Sequence, residues 1–146
     1  RILISHSKFY FFDCGVFQSL RPRGPLDSVY EISGQALEGL VLQHLIAWND
    51  YSGNRNQIFF WQTKSGVEVD FIIYGENNFW AVEVKNAKKI DFSELKSLTS
   101  FGADYPEAKL IFLYRGEEII LKKNILCIPA DLFLKKLSPG NSLWEE

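Results

Sequence analysis

The chain has no methionine, two cysteines and two histidines. Cys14 and Cys127 lie far apart among apolar neighbours, and no CxxC pair occurs. That excludes a disulfide framework and a redox dithiol; both cysteines read as buried free thiols of a reducing compartment. His6 and His44 are not at ligand spacing, which argues against a structural zinc site. No stretch approaches the ~20 apolar residues of a membrane span. No signal peptide is visible, so no membrane partner and a cytoplasmic location are expected. Positive charge is not in excess: 16 Lys and Arg stand against 18 Asp and Glu, a formal net charge of −2. A protein that holds DNA by bulk charge is excluded. A nucleic-acid role would need metal ions or a local patch drawn from Lys85, Lys88 and Lys89, with Lys64, Arg55, Arg21 and Arg23 in loops.

Core material, by contrast, is ample. The 146 residues are 47% hydrophobic and 15% aromatic, enough for one folded domain with a real core. The chain opens mid-pattern, "RILISHSKFYFFDCG", and reads as part of a longer protein. Residues 1–32 form an N-terminal segment, in which "KFYFFD" (8–13) suggests a short strand and "CGVFQSL" a helical turn. Residues 33–137 form the main domain, and 138–146 a polar tail.

Within the main domain, Ser33 to Asp50 repeats Leu37, Val41, Leu45 and Trp48 at helical spacing, with Ser33 as cap. Strands follow at 57–63, 67–74 and 79–86, joined by the turns "KSG" and "GENN". "DFSELKSLTSFGADYP" reads as a second helix, with Asp91 or Ser93 as cap. The continuous apolar run "AKLIFLY" (108–114) reads as a central strand. "IILK" and "ILCI" are short strands, and "PADLFLKKL" is a closing helix with Pro at its start. Helix, three-strand meander, helix and strand are interleaved, so the fold class is α/β with a central mixed sheet flanked by helices. The route from the third strand to "AKLIFLY" is expected to be a right-handed parallel crossover.

The chemistry sits on the second hairpin. With Gly75 to Asn78 as the turn, Tyr74 closes opposite Phe79. Asp70 then falls opposite Glu83, and Glu68 opposite Lys85. Side chains alternate along a strand, so Glu83 and Lys85 share one face of "FWAVEVKNAKK". Asp70 lies beside Glu83, with Cβ atoms ~5 Å apart. Two carboxylates in that position repel unless a cation, a shared proton or Lys85 offsets them. Mg²⁺ or Mn²⁺ is the economical answer: Asp70 and Glu83 supply carboxylates, the Val84 carbonyl a further oxygen, and Lys85 steadies a water or the developing phosphorane charge. Glu38 falls inside the apolar arc of the first helix, where a buried carboxylate needs a partner; it is a third acid if that helix packs over the hairpin. His44 falls in the same arc and reads as a core histidine. The plain alternative is surface ion pairing, with Glu68 and Lys85 as one pair.

"GVEVDFII" followed by "AVEVKNA" resembles the PD-(D/E)-x-K nuclease superfamily, with Val69 where the motif has Pro. The resemblance implies a restriction-endonuclease-like α/β core over about residues 33 to 115, and Mg²⁺-dependent hydrolysis of DNA phosphodiesters. It implies catalytic and metal-holding roles for Glu38, Asp70, Glu83 and Lys85. Gln62, Lys64, Lys88 and Lys89 are then candidates for DNA contact. More narrowly, "KFYFFDCGVFQSL", "GQALEGLVLQHL", "FWQTKSGVEVDFII" and "AVEVKNAKK" look like successive blocks of the uncharacterised C-terminal domain that follows AAA-type ATPase modules in prokaryotic proteins. This implies an N-terminal ATPase as partner in the same polypeptide, and leaves oligomerisation open. No GxxxxGK[ST] loop occurs in the present chain, so ATP binding by these residues is not expected. The other function the resemblance allows is a catalytically inactive nuclease-fold module for DNA binding or assembly.

Overall fold

A computed structural model describes residues 8–21, 24–25 and 28–140 of the chain. His6, Arg23 and residues 141–146 of the polar tail lie outside them.

The described elements run α1 (Cys14–Leu20), α2 (Val29–Tyr51), β1 (Gln57–Gln62), β2 (Glu68–Tyr74), β3 (Phe79–Val84), a 3-10 turn (Phe92–Leu95), α3 (Lys96–Asp104), β4 (Lys109–Tyr114), β5 (Ile120–Lys122), β6 (Ile125–Pro129) and α4 (Ala130–Lys136). The six strands form one mixed sheet in the order β1-β2-β3-β4-β6-β5. The pairs β3–β4 and β4–β6 are parallel and the others antiparallel, so the crossover through α3 joins parallel strands as expected. The class is therefore α/β, a central mixed sheet flanked by helices.

Two differences fall at the N-terminal side. Residues 8–13 form no strand; Asp13 instead caps α1, its Oδ1 accepting the N–H groups of Gly15 and Val16. The long helix begins at Val29 rather than after Ser33. Ser28 is its cap, its Oγ accepting the Glu31 N–H at 3.2 Å, while Ser33 lies inside the helix and donates to the Val29 carbonyl. Ser28→Ala removes the side-chain acceptor for an otherwise unpaired helix-end N–H. It is expected to cost about 1 kcal/mol, read by urea unfolding.

The sheet buries both faces. On one, Leu37, Val41, Leu45 and Trp48 of α2, with Phe133 of α4, pack on Phe71, Ile73, Trp80, Val82 and Val84. Trp48 stacks on Trp80 with ring centres 5.0 Å apart. On the other, Leu98 and Phe101 of α3, with Leu95, pack on Val69, Ile72, Ala81, Leu110 and Phe112.

The β2–β3 turn closes as its sequence implies. Gly75 donates to the Asn78 carbonyl at 2.8 Å, and Tyr74 pairs with Phe79. Gly75 is required by close approach, since a Cβ there would lie 2.1 Å from Oδ1 of Asn56. Asn56 is buried, with its backbone bonded to the Asn49 side chain in both directions.

One irregularity shapes the rest. Along β1 and β2, Phe59 pairs with Ile72 but Trp61 pairs with Val69, so Phe60 stands opposite both Asp70 and Phe71. This is a β-bulge with its extra residue in β2, a device that bends a strand and re-aims a side chain. Regular alternation would place Val69 with Phe71 and Ile73 under α2. The bulge turns Val69 to the α3 face instead.

Candidate metal centre

Beyond the bulge, β2 and β3 part. Their ladder runs from Tyr74↔Phe79 to Phe71↔Val82 and stops, while β3 stays paired to β4 through Val84↔Leu113 and the Lys85 N–H on the Leu113 carbonyl. At this fork the side chain of Asp70 does what a ladder carbonyl would do: its Oδ2 accepts the Val84 N–H at 2.8 Å. The N–H and C=O of one strand residue point the same way, so the Val84 carbonyl opens on the fork too. A regular cross-strand pairing of Asp70 with Glu83 is therefore corrected. The two are next in register, but the bulge draws Asp70 into the fork.

Asp70 and Glu83 are both buried, at 8% and 6% exposure. Lys85, half-buried, sets its Nζ 3.5 Å from Oε1 of Glu83. Oε2 of Glu83 is buried with no hydrogen-bond partner. The expected Glu68–Lys85 pair does not form: Glu68 is exposed at the start of β2, and Lys85 pairs with Glu83 on its own strand. From the other side α2 brings Glu38, whose side chain is 21% exposed. Two residues that sequence reasoning missed meet it there. The Tyr10 hydroxyl donates to Glu38, and Lys8 Nζ lies 3.6 Å from Glu38 Oε1 and 3.7 Å from Asp70 Oδ1. Their signal was the alternation in "KFY", which puts Lys8 and Tyr10 on one side of an extended chain.

The electrostatics follow from burial. Asp70 is pushed up to about 6, by loss of water and then by Glu38; the Val84 N–H, Lys8 and Lys85 pull the other way. Glu83 is pushed up to about 8, by burial and then by the Asp70 charge, against the pull of Lys85 and of the nearby Asp70 backbone N–H. Burial alone would lower Lys85, but Glu83, Asp70 and Glu94 hold it above the usual lysine range. Tyr10 is raised by burial and by Glu38, so it stays a donor. Neighbouring carboxylates both displaced upward mark a candidate functional site.

This donor set suits a hard divalent cation. Two carboxylates, one with an unpartnered oxygen, and a backbone carbonyl match the protein share of a Mg²⁺ shell completed by water or phosphate oxygens. Glu38 is held apart by Tyr10 and Lys8, and among the described residues no group of three or more His, Cys, Asp and Glu side chains is gathered tightly enough for a metal.

The remaining candidates are dispersed. Gln62 ends β1, and Lys64 lies in the turn after it; both are exposed. Lys88 and Lys89 are exposed beyond β3, where with Tyr114 and Arg115 they line a hollow of about 430 Å³. His44 is not a core residue: it is exposed, with Nδ1 2.9 Å from the Leu40 carbonyl. Cys127 is buried but Cys14 only half-buried. Among the described residues no helix is long and apolar enough to cross a membrane.

Residues 33–133 match the sequence pattern of a family described as a domain of unknown function, DUF4143. No curated protein and no solved structure matches the chain.

Proposed function

Because the chain belongs to the DUF4143 family of domains of unknown function, its activity has to be read from its own site, and we propose a divalent-metal-dependent DNA endonuclease domain that hydrolyses phosphodiester bonds. The observation that carries this reading is the buried carboxylate pair at the strand fork, with Oε2 of Glu83 left unpartnered beside Asp70. Burying two like charges is costly, and a bound dication accounts for it. The PD-(D/E)-x-K resemblance of "EVD" and "EVK" supports the same reading.

Asp70, Glu83 and the Val84 carbonyl would hold Mg²⁺ or Mn²⁺, with Glu38 as a further acid. Such an ion polarises a phosphoryl oxygen and lowers the pKa of bound water. Lys85, beside Glu83, orients the attacking water and offsets charge that develops on phosphorus. Lys88 and Lys89, exposed past the end of β3, and Lys64 with Gln62 at the end of β1, would hold the DNA backbone. An ATPase in the same polypeptide, as in the proteins whose C-terminal domain the sequence resembles, would bring the DNA to the site.

Incubation of plasmid and branched DNA with Mg²⁺ or Mn²⁺ tests the reading: metal-dependent cleavage supports it, and cleavage that persists in Asp70→Ala counts against this site. Charge at Lys88 and Lys89 has its own readout. Lys88→Ala/Lys89→Ala is expected to weaken DNA binding at low salt and to flatten the slope of log K against log salt by about 0.7–0.9 per lost phosphate contact.

The second reading, a nuclease-fold module without catalysis that binds DNA or assembles the ATPase, is favoured by Lys8 and Tyr10 engaging Glu38. It predicts metal-independent DNA binding and no cleavage.

A further inference from the structure

The segment Lys8 to Phe11 crosses the site and supplies the cation that the acids face. Lys8 Nζ stands between Glu38 and Asp70, 3.6 Å and 3.7 Å from their oxygens. The segment has further ties: Lys8 Nζ lies 5.7 Å from the Phe60 ring centre, and the Phe11 ring meets Phe17. Tyr10 donates to Glu38 and its ring meets Phe71; the Gln43 side chain donates to the Phe11 carbonyl at 3.2 Å. Phe9 and Phe12 project into solvent, 82% and 83% exposed. Beneath the segment a cleft of about 350 Å³ remains against α2. Polar contacts to the acids tie down the Lys8 end of the segment, while Tyr10 packs against the α2-face core and Phe11 against Phe17.

We propose that Lys8 is a built-in counter-cation of the acid site, and that a divalent ion bound at Asp70 and Glu83 displaces it from Glu38 and Asp70 as the Lys8–Phe11 segment lifts off. The proposal rests on the metal reading above and adds its regulation. Counted as ionised, Glu38, Asp70 and Glu83 exceed Lys8 and Lys85 by one negative charge. A dication added with Lys8 in place would reverse that sign at close range, and repulsion between the two cations at a few ångströms is strong in a partly buried site. Departure of Lys8 restores neutrality. It also frees Glu38, which with Asp70 and Glu83 completes a three-carboxylate set. DNA that captures the freed, cationic segment would then switch the site on by favouring metal uptake, since effects on two linked equilibria are reciprocal.

The test is a Mn²⁺ titration followed by electron paramagnetic resonance, on the wild type, Lys8→Met and Tyr10→Phe. Lys8→Met removes the competing charge. Tyr10→Phe keeps every charge and removes the hydroxyl bond that ties the segment to Glu38. The expected result is Mn²⁺ affinity about tenfold higher in Lys8→Met and several-fold higher in Tyr10→Phe, with the rate of Lys8 acetylation in the wild type rising on saturation with Mn²⁺. Equal or weaker affinity in Lys8→Met overturns the proposal while the metal reading stands. A gain in Lys8→Met with none in Tyr10→Phe and no change in acetylation also overturns it, because Lys8 would then act as a distant charge rather than as a displaced occupant. Absence of Mn²⁺ uptake by all three proteins overturns both the proposal and the metal reading.

Discussion

Asp70→Asn is expected to lower metal-dependent DNA cleavage about 10³-fold or more, with the fold intact. The substitution is nearly isosteric, and its amide oxygen still accepts the Val84 N–H that Asp70 binds at 2.8 Å. What it removes is one of the two buried charges that would hold the ion, and the electrostatic stabilisation an ion supplies is worth several kcal/mol in the transition state. Lys85→Ala is expected to cost about 10²–10³-fold by a different route: the ion stays, but the cation 3.5 Å from Glu83 that steadies water and phosphorus is gone. Single-turnover cleavage with metal titrated for each variant separates the two. Asp70→Asn should lose metal response, whereas Lys85→Ala should keep it and lose rate. Cleavage within threefold of wild type in both variants places the chemistry elsewhere.

Glu83→Gln should do the opposite to stability, raising that of the metal-free protein by about 2 kcal/mol at pH 8. Glu83 is buried beside Asp70, and its carboxyl is pushed up to about 8. A carboxyl raised on folding binds its proton more tightly in the native state than in the unfolded chain. Its stabilising effect is therefore full below the ordinary glutamate range and is lost as pH rises through about 8. Asp70, pushed up to about 6, adds a loss of the same sign at lower pH. Wild-type protein in EDTA should weaken from about pH 5 to pH 8, and Glu83→Gln should flatten the upper part of that slope. Excess Mn²⁺ should reverse the wild-type trend, since a metal needs the ionised carboxylates, and should leave Glu83→Gln nearly unmoved. Urea unfolding at pH 5, 6.5 and 8, with EDTA and with Mn²⁺, reads all of this. A Glu83→Gln protein less stable than wild type at pH 8 in EDTA would mean that Lys85 outweighs burial and Asp70.

Much of this frame was legible in the sequence because it follows from period and turn chemistry. "GENN" between two strands fixed Tyr74 opposite Phe79, and alternation then carried the register to Val82. The run "AKLIFLY" could only be a strand covered on both faces, and it lies at the parallel centre of the sheet. Three features were not legible, each for a physical reason. The bulge at Asp70 and Phe71 leaves no mark in a pattern of apolar residues, yet it decides that Asp70 enters the fork rather than lying flat beside Glu83. The start of α2 is ambiguous in sequence because Ser28 and Ser33 are equally good caps by residue type; packing further along the helix does not distinguish them. Lys8 and Tyr10 escaped because their partners, Glu38 and Asp70, are remote in sequence and the contact is tertiary. His44 shows the converse: it shares the apolar arc of α2 with Leu37 and Val41, yet is exposed, with no element among the described residues covering it.

The most direct measurement is a crystal of the full chain soaked in millimolar Mn²⁺ and examined for anomalous scattering. The account predicts one peak at the strand fork, within about 2.5 Å of carboxylate oxygens of both Asp70 and Glu83, with Lys8 Nζ moved away from Glu38. A well-ordered crystal with no peak at either carboxylate, and Lys8 still seated between Glu38 and Asp70, would contradict it.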